Sequence, residues 1–140
     1  MMNEFLGLQY PLRKTPRGLM AQKTGVDQIK ADIVQLLLTN PGERIMMPNY
    51  GTDLKRLQFQ PNDAILEKEA EDMVRQAIAT WEPRIEILKI NVTSQIDESN
   101  LNPNDPGYDK DEILHIKIEF IDPQNISKVE QLQLEYTIGR

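Results

Sequence analysis

The apolar spacing of this chain changes at Pro83 from helical to alternating, and that change divides the domain into a helical part and a sheet. Before it, Ile29, Ile33, Leu36 and Leu37 fall at i, i+4, i+7 and i+8. Leu66, Ala70, Met73, Val74, Ala77, Ile78 and Trp81 keep a similar spacing. Side chains three and four residues apart share one face of a helix, so each set is the buried stripe of an amphipathic helix. After it, Leu114, Ile116, Ile118 and Phe120 alternate with His115, Lys117 and Glu119, and Leu132, Leu134, Tyr136 and Ile138 alternate again. A period of two places such residues on one face of a strand. Ile85 and Ile87 alternate in one phase, Ile90 and Val92 in the other, so a bulge near Leu88 and Lys89 keeps both pairs buried. The expected fold class is α+β: a three-stranded antiparallel meander covered by two main helices.

The punctuation agrees with this division. Thr24 or Asp27 caps the first helix and Asn40-Pro41-Gly42 stops it, while Pro61-Asn62-Asp63 opens the second and Pro83 ends it. Leu54 and Leu57 suggest a short helical turn between them, and Trp81, at the end of its stripe, is expected to pack inward as a core anchor. Phe5, Leu6, Leu8, Tyr10 and Leu12 precede the turn signal Pro16-Arg17-Gly18 and read as an extended arm packed on the domain. A long polar loop and an Asp122-Pro123-Gln124-Asn125 turn join the strands. With 140 residues, 39% of them hydrophobic, one core is affordable. A single domain over 1–140 follows, with an arm at 1–23, a helical part at 24–83 and a sheet at 84–140.

Composition removes several function classes. A net charge of -6 argues against nucleic acid as the main partner, since that binding rests on Lys and Arg neutralising phosphates. The charge is uneven: Arg13, Lys14, Arg17 and Lys23 make the start basic, and residues 97–112 carry six acids against Lys110. There is no cysteine, so neither a disulfide nor a thiolate metal site forms. No apolar run is long enough to span a bilayer, and the start lacks the basic and apolar regions of a signal peptide. His115 is the single histidine, on the polar side of a strand. Residues 40–44 lack the spacing of a phosphate loop, and residues 102–107 only loosely match a calcium loop, with Pro106 at the fifth position and Ile113 at the twelfth. Asn125-Ile126-Ser127 matches a glycosylation sequon but reads as a turn. No cofactor and no metal are expected, and no nucleophile with its base stands out.

Three connections are more particular than loops need to be: Thr39-Asn40-Pro41-Gly42-Glu43-Arg44, Pro48-Asn49-Tyr50-Gly51 and Trp81-Glu82-Pro83-Arg84. In this order, with the helices between them, residues 25–92 resemble the phage baseplate wedge family. That family includes the W protein of contractile-tailed phages and the sheath-initiating subunit of type VI secretion systems. Gly7-Leu8-Gln9-Tyr10-Pro11-Leu12 is similar to the family's entry segment, while residues 97–112 match no motif of it.

The resemblance implies a structural, non-enzymatic subunit that docks on wedge scaffold proteins and starts sheath polymerisation by offering a sheet edge to the tail sheath protein. It implies six copies in a hetero-oligomer and a place in the virion tail baseplate, or in the host cytoplasm during assembly; charge and the lack of a long apolar run add the expectation of no nucleic acid and no membrane partner. Glu82, Pro83 and Arg84 match the signature tied to docking on the wedge core bundle. Arg84 is expected to be an exposed charge whose loss leaves the fold intact. Arg44 either braces the loops or meets a partner. Pro41, Gly42, Glu43, Pro48, Gly51 and Trp81 are structural motif positions. The last strand lies two residues from the end of the sequence and so has little chain to cover it; its outward positions Val129, Gln131, Gln133 and Glu135 mark the accepting edge. Two other readings stand beside this one: a peptidoglycan-cleaving, lysozyme-like baseplate enzyme, and a generic acidic adaptor domain.

Overall fold

The first apolar stripe forms α1 (Gly25–Leu38) and the second forms α2 (Ala64–Trp81) in the computed structural model, which describes residues 6–61, 63–96 and 112–138. The first five residues, Asn62 and the acidic stretch 97–111, with its calcium-like run, lie outside the described residues. α2 starts on a cap: the Asp63 carboxylate accepts from the amides of Ile65 and Leu66 at 3.0 Å, satisfying two of the N–H groups that a helix start leaves open. At α1, Thr24 holds the cap position without a side-chain bond, and Asp27 sits in the first turn, where a carboxylate meets the positive end of the helix dipole. Between the helices, Leu54–Phe59 is a 3₁₀ helix whose Leu54 and Leu57 are fully buried.

Beyond Pro83 the chain forms β3 (Glu86–Ile96), β4 (Glu112–Ile121) and β5 (Val129–Ile138), paired antiparallel in that order. Ile121 lies opposite Glu86 on one side and Val129 on the other, so those three residues form one row across the sheet. The register shifts between Ile87 and Lys89. The bulged Leu88 is exposed, while Ile85 and Ile87 before it and Ile90 and Val92 after it all reach the core. Asp122 closes the β4–β5 turn, its carboxylate accepting from the Gln124 amide.

One core fills the space between sheet and helices. Leu114, Ile116, Ile118 and Phe120 of the central strand are almost wholly buried against Ile29, Ile33, Leu36 and Leu37 of α1 and Leu66, Ala70, Val74 and Ile78 of α2. Each such side chain contributes about 1.5–3 kcal/mol relative to exposure. Leu132, Leu134 and Tyr136 face the same core but are only partly covered, because β5 is an edge strand. The Ile138 side chain lies outside the described ones.

The N-terminal arm differs from its expected form. It folds back on itself, β1 (Leu6–Leu8) pairing antiparallel with β2 (Gln22–Thr24), and Lys14 bridges Met20 nearer the tip. The cause is the Pro16-Arg17-Gly18 signal: Gly18 has φ +79, and Thr15 takes bonds at both ends of the reversal, from the Gly18 amide and from the Leu19 amide. Only the base packs on the domain. There Gly7 lies on Gln28 of α1, where a Cβ would come within 2.2 Å of Nε2.

Gly51 is the tightest backbone position. It has φ +125, and a Cβ there would stand 2.3 Å from the Thr39 carbonyl oxygen, which accepts from the Thr52 amide. Gly42, at φ +90, has open space around it. Gly51→Ala should therefore lower stability by more than about 2 kcal/mol and Gly42→Ala by about 1 kcal/mol, because only the first adds a backbone clash to the dihedral strain. Urea denaturation of the two variants measures the difference, and equal losses would mean that the loop relaxes around Gly51.

Candidate functional site

The loop after α1 is folded by its own polar groups. The Glu43 carboxylate accepts from the Asn40 amide at 3.0 Å and from Asn40 Nδ2 at 2.7 Å, and these bonds hold its carboxyl below the usual range. The Gly42 amide donates to the Pro48 carbonyl at 2.8 Å, and the Tyr50 amide to Met47. Pro41, Gly42, Glu43 and Pro48 thus form one closed reversal whose far end is the tight approach of Gly51 to Thr39.

That reversal sets Arg44 over the Tyr50 ring, its guanidinium carbon 3.8 Å from the centroid. A cation over an aromatic face contributes about 0.5–1 kcal/mol at an exposed site. Tyr50 is buried, which raises its phenol, and it meets Trp81 edge to face with centroids 5.2 Å apart. Trp81 is partly covered and packs on the core. Such stacking is a contact of the kind a loop brace makes.

At the end of α2 the chain turns Glu82 inward, to 5% side-chain exposure, and leaves Pro83 exposed. Both Glu82 carboxylate oxygens accept from Arg84, one from Nε and one from a terminal nitrogen, each at 2.5 Å. The same terminal nitrogen also donates to Asp32 of α1 at 2.6 Å. The bonds to Glu82 push the Arg84 guanidinium above its usual range; burial opposes them and Asp32 adds to them. The other Asp32 oxygen accepts from Gln28 Nε2 at 2.7 Å, so a polar chain runs from Gln28, beneath the base of the hairpin, to the Glu82 carboxylate. Arg84 is therefore not the exposed charge expected of a corner. Its side chain is 26% exposed and gripped from two sides, because the end of α2 and the start of β3 bring it back over α1.

Arg44, Tyr50, Trp81, Glu82, Pro83 and Arg84 line one cleft of about 430 Å³ with Asp32, Gln35 and Leu36 of α1. Segments far apart in sequence converge there. Val129, Gln131, Gln133 and Glu135 lie elsewhere, exposed on the outward side of β5. Gln131 donates to Glu119 at 3.2 Å, and Glu135 stands 3.6 Å from His115. α1 touches both regions: Asp32 holds Arg84, and Lys30 pairs with Glu130 of β5 at 2.7 Å.

Sequence reasoning missed Asp32, which reads as an ordinary residue of a polar helix face, and also missed the loop tip. Ile45 and Met46 are 93% exposed and Met46 has φ +66, conformationally costly for a residue with a Cβ. The available signal was three successive apolar residues, Ile45-Met46-Met47, inside a turn-rich connection. Among the described residues no group of three His, Asp or Glu is placed to hold a metal ion, and no helix is long and apolar enough to cross a membrane.

The family described as baseplate wedge protein gp25 matches residues 23–121. The baseplate wedge protein gp25 of Enterobacteria phage T4 is 27% identical over 116 residues, covering 83% of this chain and 78% of that protein. A crystal structure of a candidate tail lysozyme from Geobacter sulfurreducens matches with a TM-score of 0.58 and 25% identity, over 81% of this chain and 88% of that one. A chain in the six-fold symmetrised baseplate of the anti-feeding prophage shares the fold, with a TM-score of 0.60 at 20% identity, over 98% of this chain and 88% of that one.

The Arg84 fork generates a stability prediction. Arg84→Ala leaves the buried Glu82 carboxylate without its counter-charge and should cost about 2 kcal/mol or more, while Arg84→Lys keeps the charge but loses the fork and should fall between. Urea midpoints of the three chains test this. An Arg84→Ala chain as stable as the parent would return Arg84 to the role of a solvated surface charge.

Proposed function

This chain belongs to the baseplate wedge protein gp25 family, and from that membership we propose that it docks on the wedge scaffold and nucleates the contractile sheath. It is a baseplate wedge protein of a contractile tail machine. The scaffold-facing part is the corner at Pro83. In this reading Glu82 and Arg84 hold Pro83 outward through their mutual fork, and Arg44 with Tyr50 and Trp81 sets the opposite wall of the cleft. One copy serves each wedge, six per baseplate.

The observation that carries the sheath role is the edge of β5. Ten residues of β5 pair with β4 without a bulge, and no other strand pairs with β5 among the described residues. The opposite edge, on β3, carries the bulge at Leu88, a feature that blunts strand addition. A regular edge offers unpaired N–H and C=O groups to an incoming strand. Main-chain bonds then give affinity, and alternate side chains such as Gln131, Gln133 and Glu135 set register.

A lysozyme-like reading has one neighbour in its favour, the Geobacter sulfurreducens protein. Against it, the two carboxylates lining the cleft, Asp32 and Glu82, both bond the same guanidinium and so face away from a proton-transfer role. The subunit is accordingly proposed to be structural, without turnover.

Two outcomes are expected. Gln133→Pro, if folded as judged by circular dichroism, should reduce recruitment of sheath protein more than docking on the wedge, the two associations being measured separately. Gln131→Lys/Gln133→Lys, which adds edge charge, should do the same without removing a backbone bond of the β4 ladder. Full sheath assembly on both folded variants would remove β5 as the template. The purified parent chain should also leave peptidoglycan turbidity unchanged. Clearance that disappears on Glu82→Gln or Asp32→Asn would establish an enzyme instead.

A further inference from the structure

We infer that the N-terminal hairpin, residues 6–24, is a docking finger for an acidic protein surface with an apolar furrow, a contact that rests on the wedge-docking reading and extends it. Residues 6–24 hold Arg13, Lys14, Arg17 and Lys23 and no Asp or Glu. Of the 16 basic and 22 acidic residues in the chain, the remainder therefore keeps 12 and 22, a net -10 against the finger's +4. None of the four cations has an ion-pair partner among the described residues. The molecule carries twenty-two carboxylates and neutralises none of the finger's charge with those described.

The same segment exposes apolar surface. Leu8 and Tyr10 are 49% and 36% exposed, and Leu12, Leu19 and Met20 each exceed 60%. An isolated two-stranded hairpin is marginal in water, and contiguous exposed apolar side chains mark interaction surfaces. The base, by contrast, is fixed. β2 runs directly into α1, and Gly7 seats on the Gln28 carboxamide, which a side chain at position 7 would have to displace. The finger thus leaves the domain in a set direction, which lowers the ordering cost of binding.

The charge pattern selects the occupant. An anionic bilayer or a phosphate backbone would attract the finger but repel the rest of this small molecule at -10. A protein surface can confine its carboxylates to the footprint of the finger and supply the furrow that Leu12, Leu19 and Met20 need.

The probe is the baseplate wedge of the same machine, assembled without this chain. The parent should bind it with an affinity that falls as salt rises. Arg13→Glu/Lys14→Glu/Arg17→Glu should bind at least about tenfold more weakly and lose the salt dependence. Leu12→Ser/Leu19→Ser/Met20→Ser should dissociate about tenfold faster. Urea midpoints should stay at the parental value, because these residues lie outside the core; if a triple variant unfolds, Arg17→Glu at the turn replaces it. Variants that bind like the parent would sink the finger and leave wedge docking intact, and a parent that does not bind would sink both. Capture by phosphatidylserine vesicles at parental strength would assign the finger to lipid, and self-association lost on charge reversal would assign it to a second copy. Either result overturns the inference.

Discussion

The structure depends on the fork between Arg84 and Glu82. Packing sets helices and sheet as layers with preferred crossing angles, and directional bonds then pin one arrangement. Arg84 supplies these where three elements meet, bonding the C-terminal cap of α2 through Glu82 and the middle of α1 through Asp32, two residues ahead of β3. A planar guanidinium with several fixed donors does this in one side chain, and a point charge would not. Glu82 can sit at 5% exposure because its charge is matched there, while Pro83 beside it faces outward.

α1 extends that constraint to the rest of the molecule. Its apolar stripe packs on the sheet, Asp32 holds the fork, Gln28 seats the hairpin base and Lys30 reaches Glu130 at the start of β5. A helix is stiff over this length, so the corner at Pro83, the base of the hairpin and β5 keep fixed relations. For a wedge subunit, several contacts on one rigid body let partners be placed relative to one another, which separate flexible contacts would not achieve.

Much of this was legible in the residues. The helices, the meander and even the bulge at Leu88 follow from period, because a phase change in an alternation has few solutions when both pairs must be buried. The place of β5 as the last strand of the meander follows as well. Asp32 was not legible, since its partner lies fifty-two residues away and nothing local marks it. The partial burial of Arg84 is hidden for the same reason: a charge beside a helix stop is solvated unless the tertiary fold brings it a partner. The reversal of the arm is not legible because Pro16-Arg17-Gly18 can end an extended segment or fold it back, and the pairing of Leu6–Leu8 with Gln22–Thr24 decides between them.

Where the apolar surface was left exposed follows a pattern that periodicity cannot reveal. Ile45 and Met46 project from a loop closed at its base by the Gly42 to Pro48 bond, and Leu12, Leu19 and Met20 project from a hairpin closed by Thr15 and Leu19. In both places the backbone is locked while the side chains stay wet, and at Met46 the lock tolerates a positive φ that a free loop would relax. A chain of 140 residues has few apolar groups to spare from its core, and leaving these outside costs the isolated molecule burial energy. Rigid presentation of such groups is consistent with a family whose members work inside baseplates, because surface that destabilises the free subunit becomes core once a partner covers it.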